Sequence, residues 1–351
     1  APPAPPLAAA AAGAVAAVPT TLPATDRGVP LRPSGSGFGA RFAAPYVEVW
    51  NSPAVLRQVQ RATGIKNFTL AFVIPDGGCA GAFDGTIPID NRDWLWAVND
   101  LRRAGGDVMI SFGGGNSREL AETCGSVAEL KAAYRKVIDT YDLTRIDLDI
   151  EGDVLEDQPA NDLRNQALAE LQHDYAAAGR RLAVQYTLPV NPWGLSSGAT
   201  ALLENARQHQ LDVDLVNIMT MDYGPSYDMG ATAIQAATAL HAQLGRIWPE
   251  KTDADRWAMQ GLTPMIGVND GGIEVFTADD ATRLAAFAAD KGIRLLAFWS
   301  LGRDRPCQAD DSFSDRCSGI HQNPEDFARI LSGASADLLH HWMDQGGNPA
   351  S

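Results

Sequence analysis

The chain has 351 residues, 45% hydrophobic and 20% charged, a balance that supports a sizeable packed core and excludes a disordered chain. Its formal charge of −15, with no basic run to offset it, opposes the phosphate contacts on which nucleic-acid affinity rests, so no nucleic-acid partner is expected. No apolar stretch reaches the roughly 20 residues that span a bilayer, the Ala-rich run from Leu7 to Val18 being short and flanked by prolines, so no membrane segment is expected either.

Residues 1–37 are Pro/Ala-rich and carry no positively charged leader; they read as a low-complexity tail or linker, the start of a mature chain. From 38 to 345, apolar runs rich in Val, Ile, Leu and Phe alternate with segments of helical period, the pattern of βαβ units on a parallel sheet. Strands are predicted at 44–50, 67–74, 107–114, 145–151, 181–188, 214–222, 257–266 and 293–300. Eight strand–helix repeats fit an α/β fold closed into a (β/α)8 TIM barrel, one catalytic domain. An open doubly wound sheet would usually show GxGxxG after its first strand, whereas the glycines Gly113, Gly114 and Gly115 follow the third and read as a tight turn or close backbone approach at the barrel mouth. Helix boundaries are marked by capping boxes at Ser126 with Glu129 and Thr277 with Asp280, by Gly292 as a left-handed terminator, and by Asn323 with Pro324 opening the last helix.

The four cysteines have no CxxC spacing and no nearby histidine, which argues against zinc. Two disulfides, Cys79 with Cys124 and Cys307 with Cys317, are favoured over four buried thiols, and they point to a secreted, extracellular protein.

Active sites in such barrels lie at the C-terminal ends of the strands, where side chains alternate between the barrel and the surrounding helices. In the segment IDLDIEG, Ile146, Leu148 and Ile150 face the helices, which places Asp147, Asp149 and Glu151 in one inward row. Carboxylates so close cannot all ionise, and repulsion with partial burial raises at least one pKa toward neutral, the condition for a general acid. Glu151, with the longest side chain and nearest the mouth, is the candidate. A metal site and a purely structural network are the weaker readings of the row, and neither metal nor cofactor is expected.

This pattern resembles the chitinase-like enzymes of glycoside hydrolase family 18, whose fourth strand carries DxxDxDxE. IDLDIE is joined by SFGGG (111–115), similar to SxGG on the third strand, by MTMDYG (219–224), similar to MxYD on the sixth, and by FWS (298–300) at the end of the eighth; APYVEVW also resembles the family's opening strand. Together the motifs cover residues 38–305 in order. The resemblance implies retaining, substrate-assisted hydrolysis of β-1,4 bonds between N-acetylglucosamine units of chitin or chito-oligosaccharides. It implies that Glu151 protonates the leaving oxygen, that Asp149 orients the sugar's acetamido group as it attacks, and that Asp147 sits behind Asp149 and shares a proton with it. It also implies that Asp222 binds the sugar and that Trp299 stacks beneath it.

Tyr46, Gln185 and Tyr186 are candidate contacts at strand ends, Asn269 and Asp270 follow the seventh strand in what is also an ordinary turn sequence, and Trp193 is a candidate outer platform. Two positions depart from the pattern: Thr144 replaces its first Asp, and Met221 its Tyr, for which Tyr223 is the nearest substitute. A non-catalytic chitin-binding lectin and an endo-β-N-acetylglucosaminidase on N-glycans are the alternatives on the same barrel. A serine hydrolase is disfavoured, since no GxSxG follows a strand and His340 and His341 sit as a solvated pair in the last helix. The expected form is a monomer.

Overall fold

Runs of β-branched and aliphatic residues bounded by glycine and polar turns become strands, and the amphipathic segments between them become helices. A computed structural model of the chain describes residues 37–115, 118–308, 311 and 316–333. Apart from Gly37, the predicted tail lies outside them, as do His340 and His341. The strands are β1 (Phe42–Ala43), β2 (Tyr46–Glu48), β3 (Asn67–Pro75), β4 (Gly81–Phe83), β5 (Asp107–Gly113), β6 (Arg145–Asp149), β7 (Ala183–Asn191), β8 (Gly194–Leu195), β9 (Val213–Met219), β10 (Gln260–Thr263), β11 (Gly267–Val268), β12 (Val275–Phe276) and β13 (Leu295–Leu296). The helices are α1 (Val55–Thr63), α2 (Arg92–Arg103), α3 (Val127–Tyr141), α4 (Gln158–Ala177), α5 (Ser197–Gln208), α6 (Met229–Ile247), α7 (Asp253–Ala258), α8 (Ala278–Lys291) and α9 (Asp326–Leu331).

The main sheet runs β1-β13-β10-β9-β7-β6-β5-β3-β2, parallel throughout. β1 and β2 are halves of one stretch whose Tyr46 N–H reaches Phe298 O at 3.2 Å while Val49 N–H reaches Ala71 O at 3.0 Å. The first strand thus bonds to both the eighth and the second, and the sheet closes as the predicted (β/α)8 barrel. Short antiparallel strands β4 and β8 extend β3 and β7 beyond the barrel, and β11 and β12 form a separate hairpin after β10.

Along β6 and just beyond it the predicted alternation holds. Ile146, Leu148 and Ile150 are buried in the large cluster shared with the helices, and each such side chain contributes about 1.5–3 kcal/mol by leaving water. Inside the barrel a smaller cluster forms around Ala44, Tyr46, Ala71, Met109 and Leu215. The N-terminal end is closed by Asp214, which receives Arg145 at 2.6 Å, Arg181 at 3.1 Å and Arg294, with Arg145 packed against the Phe38 and Phe42 rings. That plug leaves the opposite end as the open one.

Several predicted boundaries move. Residues 257 and 258 end α7, which starts from a capping box of Thr252 and Asp255, and Met259 is its C-cap, so the seventh strand begins only at Gln260. Ser126 does cap α3, but the Glu129 carboxylate turns to the Gly125 N–H instead of completing a box. Thr277 with Asp280 forms the predicted box on α8, and Gly292 ends that helix in the left-handed conformation. The last helix starts at Asp326 and not at Pro324, because the buried Asp304 carboxylate accepts the Phe327 and Ala328 N–H groups at 3.1 and 2.8 Å, a cap supplied from elsewhere in the chain. Both predicted disulfides are formed, Cys79–Cys124 and Cys307–Cys317.

Candidate active site

The open end of the barrel holds a cleft lined by Tyr46, Trp50, Phe72, Gly113 to Gly115, Asp149, Glu151, Thr187, Met219, Met221, Asp222, Met265, Asp270 and Trp299, among others. Its floor is built on β6. Asp147, deepest in the row, is fully buried and accepts four hydrogen bonds: from Ser111 Oγ at 2.6 Å, Thr187 Oγ1 at 2.7 Å, Gln185 Nε2 at 2.9 Å and the Tyr46 hydroxyl at 3.0 Å. Burial pushes its carboxyl above the ordinary value, and those four donors oppose the shift. Tyr46 keeps its proton because burial and the neighbouring Asp147 and Asp149 raise it further.

Asp149 is buried and shares a side-chain hydrogen bond with Glu151, while its Oδ1 has no partner. The carboxyl that shares a hydrogen bond with Asp149 is therefore Glu151, at the mouth, and Asp147 is held by its own four donors. Burial first, then the charges of Glu151 and Asp147, hold Asp149 well above the usual carboxylate range. Glu151 is raised too, by burial and by the charge of Asp222, against the Asp149 hydrogen bond and the Gly115 N–H, which favour its ionised form. Two such carboxyls side by side retain a proton to higher pH than either would alone.

The triple glycine makes this close approach possible. At φ of 101° a Cβ on Gly113 would lie 2.1 Å from Asp149 O, and on Gly114, at φ of 99°, 2.8 Å from the Phe72 ring. The turn therefore lies against the end of β6, a close backbone approach of the kind expected from the sequence.

Of the other predicted residues, Tyr46, Met221, Asp222, Asp270 and Trp299 line the cleft. Trp299 stacks on Phe72, with ring centroids 5.6 Å apart and planes 11° from parallel. Asp222 adopts a left-handed backbone, φ 51°, and its Oδ1 accepts the Asp270 N–H at 3.2 Å. Gln185 lies below the cleft as a donor to Asp147.

Three candidates point elsewhere. Tyr186 faces the helices, its hydroxyl bonded to Asn165 Oδ1 at 2.5 Å, because adjacent strand residues cannot share a face with Gln185. Asn269 is buried, with its amide committed to the Met265 and Gly267 carbonyls at 2.9 and 3.2 Å. Tyr223 turns away from the cleft and meets Tyr227 edge-on, its hydroxyl buried without a partner. Trp193 is 71% exposed at the β7–β8 turn and is not part of the cleft lining. Thr144 is exposed at the opposite end of β6.

Thr187, Phe72 and Trp50 were missed. Thr187 follows from the same period of two that selects Gln185, and Trp50, 46% exposed, ends the predicted first strand. No local signal marks Phe72.

Comparison with known proteins adds to this geometry. The model of glycosyl hydrolases family 18 matches residues 45–283. The chain is 35% identical over 276 residues to a probable bifunctional chitinase/lysozyme of Escherichia coli (strain K12), covering 75% of this chain and 31% of that protein. It is 35% identical over 277 residues to endochitinase 11 of Metarhizium anisopliae, with 75% and 52% covered. The chain thus spans about a third to a half of these relatives. Crystal structures of catalytic site mutants of active domain 2 of a chitinase from Pyrococcus furiosus match with a TM-score of 0.75 at 34% identity, over 89% of this chain and 97% of that one.

Proposed function

The chain belongs to glycosyl hydrolase family 18, and we propose that it is a chitinase that hydrolyses β-1,4 bonds between N-acetylglucosamine units by a retaining, substrate-assisted mechanism. The observation that carries this reading is the pair of a buried Asp149 and a half-buried Glu151, sharing a hydrogen bond and set beside Trp299 in an aromatic cleft. Glu151 gives its proton to the glycosidic oxygen as that bond breaks. The acetamido oxygen of the same sugar attacks the anomeric carbon and closes an oxazolinium ring, whose positive charge Asp149 stabilises. Glu151, now a carboxylate, takes a proton from water as the water opens the ring, so configuration is retained and the acid is restored. We place the protein outside the cell as a monomer, a setting consistent with two disulfides.

Chito-hexaose is the test substrate, with wild type and Glu151→Gln compared. Turnover by the wild type and a loss of about 100-fold or more in the variant is expected. Comparable turnover by both would remove Glu151 from the acid role. Binding without turnover by the wild type would favour a lectin, and cleavage confined to the paired core N-acetylglucosamines of N-glycans would favour an endoglycosidase.

A further inference from the structure

Outside the carboxylate row the hairpin of β11 and β12 carries a buried acid that the mechanism above does not use. Glu274, 3% exposed, stands just before β12, and its Oε2 accepts the Tyr223 N–H at 3.0 Å. Its Oε1 is buried with no hydrogen-bond partner among the described residues. The bond to Oε2 holds the residue next to Asp222, whose backbone is left-handed at φ 51°.

We propose that Glu274 is a positioning residue for Asp222: by holding the Tyr223 amide it fixes the backbone from which the Asp222 carboxylate faces Glu151. The rest of the hairpin braces the same segment. Asn269 Oδ1 receives the Asp222 N–H at 3.4 Å, and the Asp270 N–H reaches Asp222 Oδ1 at 3.2 Å. Arg303 holds the hairpin through the Ile266 and Val268 carbonyls and offers its charge to Asp222. The inference rests on the proposed role of Glu151 and Asp222.

The charges facing Asp222 are those of Glu151, Asp270, Glu274 and Arg303, and those facing Glu151 are Asp149 and Asp222. Loss of the Asp222 charge from its place lowers the pH at which Glu151 gives up its proton. Removal of the Glu274 charge alone favours ionised Asp222 and moves that pH upward or not at all. The pH profile therefore separates positioning from simple electrostatics.

The experiment uses the full chain as wild type, Glu274→Ala, Glu274→Gln, Asp222→Ala and the Glu274→Ala/Asp222→Ala double variant. Amide exchange by mass spectrometry and chito-oligosaccharide kinetics are both read. Glu274→Ala should speed exchange in the peptide covering 222–224 by about tenfold or more and leave the barrel strands protected. It should lower kcat by roughly 10-fold to 100-fold with a smaller change in KM, and shift the alkaline limb of kcat/KM to lower pH. Glu274→Gln, which keeps one acceptor oxygen, should lose less. In the Asp222→Ala background, Glu274→Ala should add almost nothing. Unchanged exchange at 222–224 overturns the proposal whether or not the chain turns over substrate, and so do losses that multiply in the double variant. An inactive wild type would instead overturn the proposed function.

Discussion

Replacing Asp147 by Asn and by Ala distinguishes the shape of its hydrogen-bond network from its charge. The carboxylate accepts two donors on each oxygen, Gln185 and Thr187 on Oδ1, Tyr46 and Ser111 on Oδ2. In Asp147→Asn an amide nitrogen at the Oδ2 position can donate to Tyr46 and Ser111 once those hydroxyls rotate, and Tyr46 can then donate to Thr187 Oγ1, 2.9 Å away. Four charge-assisted bonds become neutral ones, at about 1 kcal/mol each, but the cost of burying the charge is relieved in return, so we expect a net change within about 2 kcal/mol. In Asp147→Ala, Tyr46 and Thr187 still pair with each other, whereas Ser111 and Gln185 lose their acceptor in a fully buried site. Two orphaned groups and a cavity should cost about 3–5 kcal/mol, roughly 10 °C in Tm for a domain of this size. Urea unfolding followed by tryptophan fluorescence reads both. Because burial raises the Asp147 pKa in the folded state, the wild type should lose stability relative to Asp147→Asn as pH rises from the ordinary carboxylate value through the raised one. Equal destabilisation by Asn and Ala would refute the argument, since the charge and not the rewirable geometry would then be what the network needs.

Three further outcomes follow from the same geometry. In the proposed mechanism Glu151 acts as an acid only while protonated, so its raised pKa should hold kcat/KM to a pH above the ordinary 4.5 for glutamate, with activity lost as pH rises through the raised value; Asp222→Asn should move that limb to lower pH. Trp299→Ala removes a ring stacked on Phe72 in the cleft and should weaken chito-oligosaccharide binding by about tenfold or more, with Trp299→Phe intermediate, as measured by calorimetry. Replacing Cys79 and Cys124 by serine should cost about 4 kcal/mol for its loop closure, against about 3 kcal/mol for Cys307 and Cys317, the order set by sequence separations of 45 and 10 and read by denaturant unfolding.

What could be read from the sequence was what repeats with a fixed period. The alternation along residues 145–151 placed Asp147, Asp149 and Glu151 inside the barrel, and both pairs of cysteines could be matched by the loops they join. The same alternation, applied to β7, would have excluded Tyr186 and added Thr187 beside Gln185. Contacts across long separations left no local trace. Asp304 caps α9 from more than 20 positions away, and Glu274 reaches Tyr223 across 51. Phe72 belongs to this second kind, because its role comes from stacking on Trp299, a residue of the opposite end of the domain.

The two departures from the family pattern have unequal consequences. Thr144 is exposed at the closed end of β6, so the missing carboxylate there leaves the Asp147 network with all four of its donors. Met221 lies in the cleft itself, where the resemblance implies a tyrosine hydroxyl on the acetamido group, and Tyr223 cannot supply one because its own hydroxyl is buried away from the cleft. A thioether donates no hydrogen bond. In the proposed mechanism the polar hold on the acetamido group then falls to Asp149 and Asp222, both in the cleft lining. That shifts weight onto how firmly Asp222 is placed, and the amide of its neighbour Tyr223 is held by the buried Glu274 carboxylate.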